Sequence, residues 1–225
     1  IPFSDAEILD LYRFGYHGLS VASVVRRLSV VGVVAHARVV VCHIGSGVSV
    51  TAVREGKSID TTMGYAPGSG LIMGSRAGDL DTGALLALMR VRNLKPTDAE
   101  MYLQTAGGLR GLGGENDLRL LLERRAQGQK AATRAIESFV YQIQKSIGAF
   151  VAALGGIEAL VFTATASERS PVLRTLIVER LSGLGINLDS ERNAALITQD
   201  GIISPAGAAV TVAVMKTNEA EEIKL

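Results

Sequence analysis

Arg38–Val53, RVVVCHIGSGVSVTAV, sets two β-branched apolar runs on either side of a glycine- and serine-rich loop. The first run reads as a strand over Val39 to Cys42, and the second alternates as a strand over Val48 to Val53. A loop without bulky side chains lets a phosphate approach the peptide N–H groups, and the same residues also make a tight β-turn. The stretch alone leaves both readings open.

A third strand, Lys57 to Asp60, follows through the hairpin turn REGK, where Gly56 accepts a positive φ at little cost. Beyond the loop TTMGYAPGSGLIMGSRAGD the pattern becomes helical. It predicts Thr82 to Arg92, a second helix in PTDAEMYLQTA capped by Thr97, a short one from Asn116 to Ala126 and a long one from Lys130 to Leu154. In the long helix Ile136, Phe139, Val140, Ile143, Ile147 and Phe150 recur at helical spacing, which makes one face core. ALVFT (Ala159 to Thr163) predicts a buried strand, Ser170 to Gly185 a helix with Pro171 early and Gly183 near its end, Ala209 to Met215 a strand, and the acidic tail a short helix. Strands gathered first and then alternating with helices define an α/β domain with a mixed sheet covered by helices. Three loops of small residues, HIGSG, TMGYAPGSG and TATASERS, follow strands. Open α/β sheets hold ligands beyond their strand carboxyl ends, and three such loops on one crevice fit a nucleotide.

Charge and composition exclude several partners. Lysine and arginine number 23 against 22 acidic residues, so no overall field attracts nucleic acid or an anionic membrane, and any anion must be met locally. The single cysteine, Cys42, sits in an apolar strand, which rules out an intramolecular disulfide and points to a cytoplasmic location. The longest uncharged apolar run near the middle, Ile147 to Ile157, breaks at Gly155-Gly156 and falls short of the roughly 18 to 20 residues that cross a bilayer, so no membrane span is expected. The opening IPFSDAEILD has neither the basic nor the apolar region of a signal peptide and reads like the interior of a longer chain.

RFGYHGLS (Arg13 to Ser20), CHIGSGVSVTAVREGKSIDTTMGYAP (Cys42 to Pro67), GLIMGSRAGDLD (Gly70 to Asp81), NDLR (Asn116 to Arg119), ALVFTA (Ala159 to Ala164) and TNEAEEI (Thr217 to Ile223), in this order, resemble the acetate kinase family. The resemblance implies an actin-like ATPase (ribonuclease H-like) domain within the acetate and sugar kinase, Hsp70 and actin superfamily. It covers the second half of a family member, so residues 1–225 are expected to be the C-terminal actin-like domain of a two-domain kinase, with the N-terminal domain absent from this chain.

The activity so implied is Mg²⁺-dependent transfer of a phosphoryl group between ATP and acetate, giving acetyl phosphate and ADP. The resemblance places His17 and Arg76 at the transferred group. Both types suit it, because an imidazole N–H and a fixed guanidinium stabilise charge spread over equatorial oxygens without forming bonds. It likewise implies that His43 and the backbone of Gly45, Ser46 and Gly47 cradle a nucleotide phosphate, and that Asp117, Leu118 and Arg119 lie beside adenosine. The loop carrying Thr165 and Arg169 would wrap the base and ribose, Tyr16 and Pro67 would line a small carboxylate pocket, and Glu219 would be linked with the Mg²⁺ site. A two-fold homodimer joined through this half is implied too, and the apolar runs VAALGG and AAVTVAVM are expected to need covering beyond one small domain. His36 matches nothing in the family and is expected in a solvated loop.

The chain departs from the family pattern at several of these positions. Ser46 stands where HLGNG has asparagine, which removes an amide donor. TASER stands where the family has GIGEN, so Thr165 and Ser167 replace glycines, Arg169 replaces asparagine, and side chains are expected to crowd the nucleotide loop. Tyr16 replaces a phenylalanine, and Ser69 an acidic residue, leaving acyl specificity open. A non-catalytic nucleotide-binding or dimerisation module, or a kinase for another short carboxylate such as propionate, remains the alternative reading.

Overall fold

A computed structural model describes residues 2–34 and 36–224. In chain order the elements are α1 (Phe3–Ile8), α2 (Gly18–Arg26), β1 (Arg38–Ile44), β2 (Val48–Arg54), β3 (Lys57–Thr61), α3 (Thr82–Arg92), α4 (Pro96–Thr105), α5 (Gly108–Gly113), α6 (Leu118–Ala126) and α7 (Lys130–Leu154). They continue as β4 (Ala159–Thr163), α8 (Thr165–Arg169), α9 (Pro171–Val178), α10 (Ser190–Ala195), β5 (Gly201–Ile202), β6 (Thr211–Val214) and α11 (Glu219–Glu222). The chain divides into two compact units, one of residues 1–14 and 63–139, the other of residues 15–62 and 140–225.

The second unit contains the six-stranded sheet, in the order β3-β2-β1-β4-β6-β5. β1, β4 and β6 run parallel to one another, so their carboxyl ends share one edge, while β2, β3 and β5 pair antiparallel. β1 and β4 are buried on both faces, which is why they read as continuous apolar runs. One face of the sheet, with Val39, Val41, Ala159, Val161, Ala213 and Met215, packs against Val21, Val24 and Leu28 of α2 and the turn that follows it. The C-terminal part of α7 presents Ile143, Ile147, Phe150 and Leu154 at four- and three-residue spacing, all buried. Gln144 of that helix donates to the Leu176 and Ile177 carbonyls and ties it to α9.

The first unit is helical, with Leu71, Met73, Leu109, Leu121 and Ile136 in its core. Its loop of residues 63–81 turns at Gly78, whose φ is +76° and where a Cβ would meet the Gly70 carbonyl oxygen at 2.7 Å. Only glycine fits there.

β4 and α7 keep their expected bounds, β1, β2 and β3 run one or two residues beyond an expected end, β6 is shorter than Ala209 to Met215, and four further expectations are corrected. Thr97 does not cap α4: Lys95 occupies the cap and Pro96 the first turn, where its missing N–H costs nothing. The helix expected over Ser170 to Gly185 stops at Val178, and a short 3-10 turn follows at Ser182–Leu184. The segment TASER is the helical turn α8 rather than an open loop. AAVTVAVM is not a surface run, because Val212, Ala213, Val214 and Met215 are fully buried in the sheet, so it asks for no covering partner. Among the described residues no helix is long and apolar enough to cross a membrane. Cys42 is fully buried, and burial pushes its thiol pKa up, which removes it from thiolate chemistry.

Candidate functional site

The opening loop is a hairpin turn. β1 runs two residues further than the apolar pattern indicates, because His43 pairs with Ser49 and Ile44 with Val48. Three residues, Gly45 to Gly47, remain to close the turn, and the Gly45 N–H donates to the Gly47 carbonyl at 2.9 Å. The Gly45 amide is therefore engaged inside the turn and is not one of the phosphate donors expected of it. Ser46 is exposed at the tip.

Gly45 matters for space instead. A Cβ there would sit 3.4 Å from the Ala164 Cβ and 3.6 Å from His43 Nε2. The bare backbone thus leaves His43 Nε2 uncovered on that side.

His43 is not alone. Its ring stacks on that of His17 with centroids 3.8 Å apart and planes at 14°. The two come from segments 26 residues apart: His17 caps α2, and His43 is the last but one residue of β1, at the shared carboxyl edge. α2 places Ser20, Val21, Ser23 and Val24 on its buried face, which brings Ser20 to the sheet. The Ser20 hydroxyl meets His43 Nδ1 at 2.8 Å, and the Ser49 hydroxyl meets His17 Nδ1 at 2.9 Å. Burial, and then the neighbouring His17, hold the His43 pKa down at about 3, so this imidazole is neutral at physiological pH.

The neighbouring strand ends differently. Thr163 of β4 pairs with His43, and the next residue, Ala164, has φ 70° and ψ 161°, a conformation that glycine adopts almost exclusively. Glu168 holds it there: one carboxylate oxygen accepts from the Ala164 N–H at 2.8 Å and the Thr217 N–H at 3.0 Å. That oxygen ties the turn after β4 to the segment after β6. Beneath the turn lies the fully buried Arg174, which donates to the Ser167 and Glu168 carbonyls, to the Asn193 side chain and carbonyl, and to the Leu196 carbonyl. Burial lowers its pKa to about 10, and at neutral pH it stays a cation solvated by backbone oxygens. Ser167 turns inward and donates to the Thr163 carbonyl at 2.5 Å, so of the substituted side chains only Thr165 and Arg169 face solvent. The expected crowding of the turn is reduced accordingly.

In the first unit, Arg76 is half-buried and its guanidinium donates to the Pro67 carbonyl at 3.2 Å, which brings these two candidates together. Asp79 accepts from the Gly70 N–H, and Ser69 accepts from the Gly64 N–H and donates to the Ala66 carbonyl, so both shape the loop. Asp117 caps α6, accepting from the Arg119 N–H and pairing with its guanidinium at 2.6 Å. That pairing first, and the backbone hydrogen bond second, hold the Asp117 pKa down at about 2. Leu118 opens the helix behind it. Tyr16 is exposed in the second unit, Glu219 is exposed in the first turn of α11, and His36 is exposed as expected.

Sequence reasoning did not single out Ser20, Ser49, Glu168 or Arg174. Ser20 carries a weak signal, three residues after His17 in a helix start; the others are marked only by contacts between distant segments.

A mixed sheet with parallel central strands, flanked by helices and ending in turns at one edge, is consistent with the α/β actin-like ATPase class. A sequence profile of the acetokinase family matches residues 1–224. The chain is 40% identical to the acetate kinase of Nitratidesulfovibrio vulgaris over 225 residues, covering 99% of this chain and 56% of that protein. It is 40% identical to the acetate kinase of Dictyoglomus turgidum over 222 residues, covering 97% and 55%. Among solved structures it superposes on Porphyromonas gingivalis acetate kinase with a TM-score of 0.95 at 32% identity, covering all of this chain and 57% of that one. A propionate kinase from Francisella tularensis superposes with a TM-score of 0.92 at 31% identity, covering 99% and 57%. The chain belongs to the acetokinase family and spans about 56% of the length of the first of these relatives.

Proposed function

We propose that this chain is the nucleotide- and phosphate-binding half of a carboxylate kinase, converting acetate and ATP to acetyl phosphate and ADP reversibly, by direct phosphoryl transfer. The stacked His17–His43 pair at the carboxyl edge of the sheet carries the reading. A neutral imidazole N–H beside a bare Gly45 backbone is the kind of donor that stabilises charge developing on a transferring phosphoryl group, which supports this reading. His17 and Arg76 are assigned to that group, and His43, Gly45, Ser46 and Gly47 to a nucleotide phosphate. In this reading the hairpin turn contributes an uncovered approach and the His43 ring more than its Gly45 amide. Asp117, Leu118, Arg119, Thr165 and Arg169 are assigned to the nucleoside, and Tyr16 and Pro67 to the carboxylate pocket.

Mg²⁺ fits as an ion shared with the nucleotide. Among the described residues no three His, Cys, Asp or Glu side chains gather into a protein cage. Glu219 offers one exposed carboxylate, two residues after Thr217, whose buried hydroxyl has no hydrogen-bond partner among the described residues. One carboxylate with waters and phosphate oxygens is a common Mg²⁺ environment. Glu219 would hold the ion, which when bound neutralises phosphate charge. The protein is proposed to act in the cytoplasm as a homodimer, with a small carboxylate and an adenine nucleotide as its small-molecule partners.

The test is acyl phosphate formation from ATP with acetate and with propionate. Residues 1–225 alone should give no turnover, because transfer depends on positioning both substrates; the longer protein of which they form a part should be active, with a preference for one acid. No acyl phosphate from either acid by the folded longer protein would favour the non-catalytic alternative.

A further inference from the structure

The two imidazoles are held in a crossed arrangement. Ser20 stands on the same helix as His17 but binds His43; Ser49 stands on the same hairpin as His43 but binds His17. Ser20 and Ser49 are 0% and 1% exposed. Each hydroxyl has one hydrogen-bond partner among the described residues, the Nδ1 of the other segment's ring.

A buried hydroxyl proton needs an acceptor. Here the acceptor within reach is Nδ1, so the serine donates, Nδ1 carries a lone pair, and the proton of the neutral ring sits on Nε2. In the opposite tautomer Nδ1–H would donate to the serine oxygen and leave the hydroxyl proton without an acceptor among the described residues. Face-to-face stacking adds a second constraint, since two imidazolium charges at 3.8 Å repel and both rings are not protonated together. His43 Nε2 is the atom that the bare Gly45 backbone leaves uncovered.

We propose that Ser20 and Ser49 are positioning residues that fix the stacked His17–His43 pair with both Nε2 atoms protonated, so that the site presents the neutral His43 Nε2–H as a donor to an oxygen anion. The catalytic value of this arrangement rests on the phosphotransferase reading above; the tautomer assignment does not.

Histidine labelled with ¹⁵N tests it directly. Long-range proton–nitrogen correlation spectra of the protein at pH 8 should give the Nε2-protonated pattern for both rings. In Ser20→Ala the His43 pattern, and in Ser49→Ala the His17 pattern, should move toward a mixture of tautomers, while Ser20→Thr and Ser49→Thr, which keep a hydroxyl, should restore it. In the longer protein, acyl phosphate formation by the alanine variants should fall about 10- to 100-fold in kcat with KM changed less than about 3-fold, the loss expected when a reacting group is mispositioned. Nδ1-protonated rings in the unsubstituted protein would overturn the assignment whether or not any variant folds. So would alanine variants that keep both the spectrum and the rate. Nε2-protonated rings in a folded longer protein that forms no acyl phosphate would remove the catalytic role and the reading on which it rests. Nδ1-protonated rings in an active protein would remove the serine assignment and leave that reading in place.

Discussion

The turns after β1 and β4 leave neighbouring parallel strands at one register pair, His43 with Thr163, and solve the same problem in opposite ways. The first reverses the chain in three residues, satisfies one of its own amides internally and carries no side chain larger than serine. The second carries an alanine in a glycine conformation, and a carboxylate on its own helical turn holds it there. Where hairpin pairing supplies the closure, the turn can stay bare beside the buried His43. Where the chain instead leaves a parallel strand for a helix, no partner strand closes it, and side chains such as Glu168 and Arg174 must do so. The bare turn is suited to meeting a ligand, and the clamped one to holding two strand ends in fixed relation.

The largest expected difference lies in pH. His43 belongs to the first turn, and its pKa is near 6.5 when unfolded and about 3 when folded. Below pH 6.5 the unfolded chain binds a proton that the folded chain refuses, so stability is present above that pH and is lost as pH falls toward 3. One such proton is worth about 1.4 kcal/mol per pH unit across the window. Denaturant titrations from pH 7 to 4 should show this slope in the protein and lack it in His43→Gln. Parallel slopes would mean that the ring is already hydrated and the first turn is not the dry donor site described.

Glu168→Ala tests the clamp. It leaves the Ala164 and Thr217 N–H groups without their shared acceptor and should cost about 2–4 kcal/mol in chemical denaturation, one buried and one part-buried orphaned donor at roughly 1–3 kcal/mol each with some rehydration of the second. Gly45→Ala, by contrast, should leave stability nearly unchanged, because its φ is ordinary and its nearest contacts are at van der Waals distance. It should weaken Mg-ADP binding by about 1–2 kcal/mol in calorimetric titration, since the new methyl covers His43 Nε2 and obstructs one hydrogen bond. If both variants lost stability equally, the two turns would not divide their roles as described.

The sequence made the strands and α7 legible because burial on both faces and helical periodicity each leave a long pattern. β4 and α7 match their expected bounds residue for residue. The failures are short. TASER forms one helical turn, too brief to repeat an apolar spacing, and the helix after Pro171 keeps apolar residues to Leu184 although its regular turns end at Val178. The candidate site was legible by residue type, and His17, His43 and Arg76 were all named from motifs. That His17 and His43 stack, and that serines from opposite segments hold them, follows from α2 packing on the sheet, which no local pattern encodes. The Gly45 to Gly47 loop was readable either as a phosphate approach or as a turn, and the structure makes it a turn whose closure takes up one of its amides.

The smallest effect is the most informative about why the clamped turn exists. Ala164 is 4% exposed, and its φ of 70° with ψ 161° costs an L-residue about 1–3 kcal/mol. Ala164→Gly relieves that strain but removes a buried methyl, worth about 0.8 kcal/mol, and adds about 0.5–1 kcal/mol of freedom to the unfolded chain. The terms nearly cancel, with strain relief the larger at its midpoint, so the variant should be more stable by up to about 1 kcal/mol. Thermal and denaturant unfolding of Ala164→Gly, alone and with Glu168→Ala, would separate the contributions. If Glu168 serves to hold a strained alanine, its removal should cost less when residue 164 is glycine; an undiminished cost would assign Glu168 wholly to fixing the segment that leads to Glu219 through the Thr217 N–H.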